Sequence, residues 1–412
     1  MSAVYVVGVG MTAFGQFIQK SMQDMTREAV HAALGDAGIP VSKIEAAYFS
    51  NATQGALEGQ YMIPGQVALR PLGLEGIPIV NLENACASAS TAFAMACKEI
   101  RSGDSSVVLA VGAEKMVSPD KLKTMAAFDG AIDVHNRDET IANLLAMSDG
   151  MTLPSDALED TGPRSVFMDV YAAMARFHMM EYGTTQAQIA AVAAKNHDHS
   201  VHNERAQFRK SFSVEEVLAA RKVCWPLTLP MCSPVSDGAS AAILCSEEAL
   251  KYFDRSRAVK VGASVLVSGT THSPKQPEQH ITRVAALKAY DMAGVAPEDV
   301  SVAEVHDATA FGEILQTENL GFCGFGEGGA LAASGATRIG GRIPVNPSGG
   351  LESKGHPIGA TGLGQIFELT QQLRGEAGAR QVEGARIAVA ENGGGVYEYE
   401  EAAACITILE KT

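Results

Sequence analysis

The sequence predicts an α/β fold built from two duplicated halves with a large insertion between them. Residues 29–53 and 285–309 align without gaps, so that each residue of the first stretch is paired with the residue 256 positions later. In both stretches, apolar residues at helical spacing end at a glycine, Gly38 or Gly294, and an apolar strand follows. Strands that alternate with helices favour a parallel or mixed sheet that is covered on its faces.

Each half carries the same further elements in the same order. A first strand is predicted around Val7 and again around Val261, upstream of each repeat. Downstream of each repeat we expect a polar turn, a helix of small residues and a final strand. The helix and the strand are predicted at 86–100 and 106–111 in the first half, and at 356–373 and 386–390 in the second.

The middle of the chain has no counterpart in the repeat. It shows helical periodicity at 169–182 and 185–201, broken by Gly, Pro and Asn. His197 and His199 in the second segment and His202 just after it are predicted to lie on a surface helix without a metal. The predicted division is an N-terminal half of residues 1–115 and 236–256, an insertion at 116–235 and a C-terminal half at 257–412.

The composition excludes several classes of protein. The chain has 412 residues, of which 46% are hydrophobic and 19% charged, a normal balance for a folded protein. A net charge of −15 is opposite to that of a general nucleic-acid binder. No apolar run reaches the roughly 18 residues that span a bilayer, and the N-terminus resembles a strand rather than a signal peptide. The 7 cysteines are widely spaced, which favours reduced thiols and a cytoplasmic location.

Cys86 stands at the predicted N-terminus of the small-residue helix in the first half. A cysteine in the first turn of a helix experiences the partial positive charge of the helix N-terminus, which favours the thiolate. The small residues that follow leave room for a substrate. Cys86 is therefore a candidate nucleophile, and the alternative is a buried cysteine with a packing role.

His356 holds the corresponding place in the second half, at the predicted start of the helix 356–373. The preceding segment is rich in glycine and proline, and glycines permit a close approach of the backbone to a ligand. The helix dipole lowers the pKa of an imidazole at this position, so a neutral His356 can accept a thiol proton. We therefore expect His356 to face Cys86 across the pseudo-symmetry and to act as its base.

Two further segments carry candidate functional groups. His306 and Asp307 follow the strand of the second repeat, where they could position a water or bind a thioester oxygen. Glu391 and the glycines after it, Gly393 among them, are predicted to follow the last strand of the second half, where their amides could face an oxyanion.

Together these segments resemble the thiolase superfamily. The resemblance covers nearly the whole chain, and the motifs occur in the order of the family: NACAS at 84–88, SPVSDGASAA at 233–242, the His306-Asp307 segment, NPSGG at 346–350 and GHPIGATG at 355–362. The closest similarity is to thiolases of the sterol-carrier-protein type and to related bacterial acyl-CoA thiolases.

The resemblance implies a five-layered α-β-α-β-α fold and a homodimer or a dimer of dimers. It implies coenzyme A thioesters as substrates, no permanently bound cofactor or metal, and an insertion that covers the pantetheine. Cys86 would accept the acyl group, and His356 would activate the Cys86 thiol. His306 stands where many thiolases have an asparagine that holds a water of the oxyanion hole. Gly393 and the Cys86 amide would form a second oxyanion hole, and Ser233 would contact the pantetheine. Some relatives also act with a small zinc-ribbon/OB-fold companion subunit.

The chain departs from the family at the second acid/base. Glu391 replaces the cysteine of the usual Cys-x-Gly segment, and Ala308 and Thr309 stand where the sterol-carrier type can place that cysteine instead. A positioned acid or base is worth roughly 10²–10⁴ in rate, so another group should take this role. Glu391 is the first candidate, because burial near Cys86 would raise its pKa. The remaining candidates are His306, Tyr397, Tyr399 and Cys323.

The sequence thus predicts an acyltransferase that cleaves a 3-oxoacyl-CoA with CoA through an acyl-Cys86 intermediate, or catalyses the reverse Claisen condensation. Three alternatives remain open because fold alone does not fix function. One is a decarboxylating ketoacyl synthase, because the catalytic set of those enzymes resembles the combination of Cys86, His306 and His356. A retro-aldol lyase acting on a β-hydroxyacyl-CoA would need no acyl-enzyme. The chain could also be a non-catalytic binder of acyl-CoA or lipid, which would need no nucleophile and no base.

Overall fold

The computed structural model describes residues 2–158 and 164–412. Its strands are β1 Val4–Met11, β2 Ala46–Ser50, β3 Ile79–Leu82, β4 Val107–Glu114, β5 Lys222–Cys224, β6 Leu227–Thr228, β7 Gly238–Ser246, β8 Val259–Ser268, β9 Val302–Glu304, β10 Ile387–Gly394 and β11 Ala403–Lys411. Its helices are α1 Met22–Ala37, α2 Gln54–Glu58, α3 Pro64–Leu69, α4 Ser88–Ser102, α5 Lys121–Ala127, α6 Arg137–Ala146, α7 Val166–Tyr182, α8 Gln186–Ser200, α9 Val214–Ala219, α10 Ile281–Ala293, α11 Ala310–Asn319, α12 Gly328–Ala333, α13 Gly350–Lys354 and α14 Thr361–Arg374.

The sequence repeat corresponds to a structural repeat. The helix of the first copy is α1, which is capped by Gly38 at φ 69°, and the helix of the second is α10, which is capped by Gly294 at φ 71°. Both glycines have the left-handed conformation that ends a helix without a side-chain penalty. The strands that follow, β2 and β9, occupy equivalent places toward the two ends of the sheet.

The strands form one sheet of nine, in the order β3-β2-β4-β7-β1-β8-β11-β10-β9. The first five strands come from the first half and the last four from the second. The halves meet where β1 pairs with β8, a short antiparallel contact of Tyr5 with Lys260 and Val6 with Val259. The duplicated halves therefore share backbone hydrogen bonds as well as side-chain packing.

Helices lie on both faces of this sheet and between its halves. The helices α4 and α14 pack against each other and against strands of both halves, and Phe93 and Leu363 belong to one buried apolar cluster with them. On the far side of the first half lies α1, and on the far side of the second lies α10. This arrangement confirms the expected five-layered fold, with the two sheet layers joined through β1 and β8.

The insertion between β4 and β7 contains α5 to α9 and the short hairpin β5–β6. Its core is formed by α7 and α8 and packs onto α11 through residues such as Ile189, Phe311 and Ile314. Because α11 begins directly after the His306 segment, the insertion is anchored beside it. Within residues 2–158 and 164–412, no helix is long and apolar enough to cross a membrane.

The prediction that α8 is a surface helix is wrong. His197 and His199 are both buried, and His199 Nδ1 lies 3.0 Å from the Asn346 carbonyl oxygen while its Nε2 accepts from the Ile339 amide. Farther along, Asn203 Nδ2 donates to the Ser348 carbonyl at 2.8 Å. His199 in α8 and Asn203 just after it thereby satisfy backbone carbonyls of the segment 346–350.

Candidate active site

Cys86 lies in a tight turn rather than in the first turn of the predicted helix. A 3₁₀ turn spans Ala85–Ala87, and α4 begins only at Ser88. Ala85 has φ 47°, a left-handed conformation that is uncommon for a residue with a side chain. Ser88 Oγ donates to the Ala85 carbonyl at 2.6 Å and accepts from the Asn84 amide at 2.8 Å. The turn is thereby fixed from both sides.

Strand β10 contacts the backbone of this turn. A Cβ atom built on Gly394 would lie 2.2 Å from the Asn84 carbonyl oxygen and 2.5 Å from the Ala87 amide nitrogen. Only glycine permits this approach. The end of β10, with Gly393 beside Gly394, therefore lies against the loop that carries Cys86.

His356 also lies outside the helix that was predicted to begin with it. It follows α13 in an extended loop, and α14 begins only at Thr361. Its amide donates to Ser236 Oγ at 3.1 Å. The structure nevertheless brings His356 and Cys86 together as expected, with Nε2 3.3 Å from the Cys86 Sγ.

The hydrogen bonds of Thr361 fix the proton position on His356. Thr361 Oγ1 lies 3.1 Å from the Pro357 carbonyl, to which it donates its only hydrogen. In this arrangement it accepts from His356 Nδ1, which lies 2.7 Å away. The neutral imidazole then carries its proton on Nδ1 and presents the Nε2 lone pair to Cys86.

His306 completes the cluster at the end of β9. Its ring centroid lies 5.3 Å from that of His356, and the Cys86 sulfur and one nitrogen of each histidine lie within 4.8 Å of one another. Both ring nitrogens of His306 are buried and lack partners among the described residues. The adjacent Asp307 is not part of the cluster, because its carboxylate accepts from the Leu351 amide and from Asn196 Nδ2.

The electrostatics of the cluster favour neutral groups. Burial raises the pKa of the Cys86 thiol to about 12, and the carboxylates of Glu114 and Glu83 act in the same direction. This contradicts the expectation that the helix N-terminus would favour the thiolate. Burial lowers the pKa of His356 well below its usual value, with His306 and Lys354 contributing, and lowers the pKa of His306 to about 4. The resting pair is a neutral thiol facing a neutral imidazole.

Glu391 lies within β10 rather than after it, as does Gly393. Its side chain is fully buried, and Oε2 accepts from the His306 amide at 2.8 Å while Oε1 has no partner among the described residues. Burial and then the neighbouring Glu401 raise its pKa well above the usual value. Glu391 therefore contacts the backbone of His306 directly, and its burial favours the neutral form of the carboxyl.

A cavity with an empty volume of about 1130 Å³ opens onto Cys86, His306 and His356. Its walls are largely apolar and come mostly from the insertion, including Met116, Met125, Phe128, Phe167 and Met168. Ser233 lines it as well, and the Ser233 amide donates to the Ala308 carbonyl at 3.0 Å. Arg164 and Arg221 also line this cavity, and Arg164 Nη2 forms an ion pair with Asp169 at 2.6 Å. The space suits a long, mostly apolar molecule that carries an anionic end.

Other sequence candidates lie away from the cluster. Cys323 does not line this cavity, and burial raises its pKa to about 12. Tyr397 is largely exposed, and Tyr399 lines a smaller, separate cavity.

Sequence reasoning missed four residues of the site. Tyr171 projects from α7 into the main cavity, and Arg221 lines it too. Thr361 stands five positions after His356, a spacing that could have indicated a partner for the imidazole. Glu401 belongs to an acidic run whose burial had no signal in the sequence.

Comparison with known proteins places these observations in a family. Residues 4–217 match the thiolase N-terminal domain, and residues 267–411 match the domain described as thiolase C-terminal domain-like. The chain is 41% identical over 401 residues to an acetyl-CoA acetyltransferase of Methanothermobacter thermautotrophicus, covering 96% of this chain and 97% of the relative. It is 39% identical to sterol carrier protein 2 of Bos taurus, covering 94% and 69%. The fold matches that of the Ltp2-ChsH2(DUF35) aldolase with a TM-score of 0.75 at 23% identity, covering 98% and 97%.

Proposed function

This chain belongs to the thiolase family and is an acyl-CoA acyltransferase, and we propose that it transfers the acyl group through Cys86. The reaction is the thiolytic cleavage of a 3-oxoacyl-CoA with CoA, or the reverse Claisen condensation. The observation that carries this proposal is the 3.3 Å contact between Cys86 Sγ and the lone pair of His356 Nε2. A thiol that faces a fixed, unprotonated imidazole can lose its proton as it attacks.

In the cleavage direction, His356 accepts the thiol proton while Cys86 attacks the 3-keto carbon. The carbonyl becomes an oxyanion, for which His306 and the backbone at Gly393 are the proposed donors. The bond between C2 and C3 then breaks, and its electron pair stays on C2 of the departing acyl-CoA. Glu391 is the proposed acid that protonates this carbon, in place of the missing cysteine.

The second half-reaction returns each proton. CoA enters, its thiol proton passes to the Glu391 carboxylate, and its sulfur attacks the acyl-Cys86 thioester. When that intermediate collapses, His356 returns its proton to the Cys86 sulfur. The enzyme is then in its starting state, and no oxidant or metal takes part in the balance.

The cavity suggests how the thioester lies. Ser233, which lines the cavity, is the proposed contact for the pantetheine, as the family resemblance implies. Arg164 and Arg221 are the cations that line the cavity, so they are the proposed contacts of the CoA phosphates. The apolar walls from the insertion would cover the part of the bound thioester between these contacts.

Intact-mass spectrometry tests the acyl-enzyme. The protein is incubated with a panel of acyl-CoAs, from acetyl-CoA to branched and aromatic thioesters. We expect a mass gain equal to one acyl group, lost in C86A and retained in C323A, the matched control. Absence of any adduct, or an adduct that persists in C86A, would contradict the proposal. Cleavage of a β-hydroxyacyl-CoA by C86A would support a lyase instead.

We also propose a homodimer. Strand β3 ends the sheet with two exposed residues in its centre, and an unprotected edge strand readily pairs with another chain. One of these two residues is the apolar Val80, and the apolar side chains of Tyr61, Met62 and Ile63 in the preceding segment are exposed as well. A second copy that pairs edge to edge would cover them. A cytoplasmic location fits a reaction that needs a reduced Cys86.

A small companion subunit remains part of the proposal. The structure with a similar fold carries a DUF35 component in its name, and the family resemblance implies a small zinc-ribbon/OB-fold companion for some members. Thiolysis of acetoacetyl-CoA by the isolated chain tests this directly. Full turnover without an added protein would show that no companion is required.

A further inference from the structure

Three side chains with metal-binding atoms meet at the wall of the main cavity. The Cys86 sulfur and one ring nitrogen each of His306 and His356 lie within 4.8 Å of one another, and all three residues line the cavity. The ligand atoms of a tetrahedral zinc ion lie roughly 3.3–3.6 Å apart, and the distance from Cys86 Sγ to His356 Nε2 is 3.3 Å. Two of the three donors therefore already have the spacing of a zinc site.

Each imidazole offers a lone pair to such an ion. His356 Nε2 carries no hydrogen, because Nδ1 donates its hydrogen to Thr361 Oγ1, and an outer hydrogen bond of this kind orients a metal-binding histidine. His306 is 3% exposed, and neither of its ring nitrogens has a partner among the described residues. A buried polar group without a partner is costly. His306 can therefore bind an ion without giving up a hydrogen bond.

The atoms of this set select the kind of ion. One sulfur and two imidazole nitrogens suit zinc and related transition metals, whereas magnesium and calcium require oxygen ligands. In the part of the chain that the structure describes, the set has three members. Three protein ligands and a water in the fourth position are the pattern of an open zinc site, and the cavity can supply that water.

We propose that Cys86, His306 and His356 form an inhibitory binding site for Zn²⁺. On binding, the Cys86 thiol releases its proton to water, and the thiolate and the two imidazoles replace water molecules of the hydrated ion. No group is oxidised or reduced. The sulfur that attacks the substrate and the nitrogen that takes its proton are then both occupied. The inhibition rests on the proposed function, whereas the metal site itself does not.

Titration of the untagged chain with Co²⁺ tests the site without an activity assay. Co²⁺ is a spectroscopic substitute for Zn²⁺, and a thiolate ligand gives it a charge-transfer band in the near ultraviolet. We expect the wild-type chain to bind one equivalent of Co²⁺ with this band, and one equivalent of Zn²⁺ to abolish it. C86S should lack the band, and Mg²⁺ should produce no change. A wild-type chain without the band would overturn the inference.

H306N separates a three-ligand site from a simple thiol–imidazole pair. The family resemblance places asparagine at this position in many thiolases, so the variant should fold. Loss of an outer partner alone costs about 10–100-fold in metal affinity, so loss of this ligand should weaken Co²⁺ binding more than about 100-fold. H202A is the matched control, because His202 is exposed and does not line the cavity. Equal Co²⁺ affinity of H306N and the wild-type chain would refute the site.

X-ray absorption of the Zn²⁺-bound wild-type chain does not depend on the folding of any variant. We expect one sulfur at about 2.3 Å and two imidazole nitrogens at about 2.0–2.1 Å from the ion. An ion without a sulfur ligand, or with a single imidazole, would contradict the proposed ligand set.

The inhibition is measured on the reaction itself. Zn²⁺ should stop thiolysis of acetoacetyl-CoA, protect Cys86 from iodoacetamide, and be fully reversed by a chelator. Zinc that binds these three ligands without slowing thiolysis would contradict both the inhibition and the proposed role of Cys86. A chain that forms acyl-Cys86 but binds no zinc would overturn this inference and leave the proposed function intact.

Discussion

At the scale of single residues, the site is built to hold a thiol and an imidazole in their neutral forms. Burial raises the pKa of Cys86 and lowers that of His356, so the two shifts together disfavour an ion pair. Deprotonation of the thiol then belongs to the attack itself, with His356 as general base. The site avoids a permanently charged thiolate that would react with other electrophiles.

Alkylation of Cys86 by iodoacetamide should reflect this resting state. Because only the thiolate reacts, a raised thiol pKa predicts a rate that increases about tenfold per pH unit between pH 7 and 9. The rate is followed by mass spectrometry, with C86A identifying background labelling of other cysteines. A plateau near neutral pH would reveal a thiolate–imidazolium pair and contradict the prediction.

Substitution of Thr361 tests how the proton on His356 is placed. T361V removes the group that accepts from Nδ1, so Nε2 is no longer held as the acceptor and the ring can reorient. We expect the rate of Cys86 acylation to fall about 10–100-fold, as for other groups that orient a histidine from behind. T361S retains the hydroxyl and should keep most of the wild-type rate. Equal rates for both variants would rule out the role.

At the scale of elements, the reacting residues lie on loops that pack against helices and strands. The Cys86 turn lies between α4 and β10, and the loop before His356 rests on His199 of α8 and on Asn203, which follows that helix. Lys354 and Glu304 form a buried ion pair of 3.0 Å between α13 and β9. These contacts help to hold His306 and His356 close to the Cys86 sulfur.

Gly394 tests the contact between β10 and the Cys86 turn. In G394A the new methyl would overlap the Asn84 carbonyl, so the backbone must move. We expect a loss of about 1–3 kcal/mol of unfolding free energy and a slower acylation of Cys86. The matched control is G35A, where a methyl has open space on α1 and favours the helix. Denaturant titration and acylation kinetics measure both, and a neutral G394A would disprove the close approach.

At the scale of the whole molecule, the sheet has unequal ends. The β9 edge is covered, because the Ala303 amide donates to the Pro344 carbonyl and the Asn346 amide donates to Ala303. The β3 edge instead presents exposed side chains, with Val80 39% accessible. This asymmetry is the reason to expect that two copies meet at β3.

A charge placed on that edge should separate the copies. V80K introduces an ammonium group that would have to be buried in the paired state, at a cost of several kcal/mol. Light scattering after size exclusion should show a dimer for the wild-type chain and a monomer for V80K. L287K, on the exposed surface of α10, is the control and should remain dimeric. A dimeric V80K would place the interface elsewhere.

The sequence by itself determined the duplicated α/β fold, the family, and the identity of the cysteine and histidines that meet. These features were readable because periodicity and turn residues are local, and because the motifs at 84–88 and 355–362 retain the family pattern. The predicted element boundaries were less accurate, since Cys86 and His356 both precede their helices. Whether a helix begins at such a residue depends on tertiary contacts such as those of Gly394 and Ser236.

Only the tertiary structure decided the protonation of the site and the place of Glu401. The direction of the Cys86 pKa shift depends on burial and then on the carboxylates of Glu114, which comes from a distant strand, and of the nearby Glu83. Glu401 lies ten positions after Glu391, beyond a turn that brings it back onto Gly393. A desolvation energy or a through-space repulsion depends on which segments pack together, and a local pattern in the sequence does not contain that information.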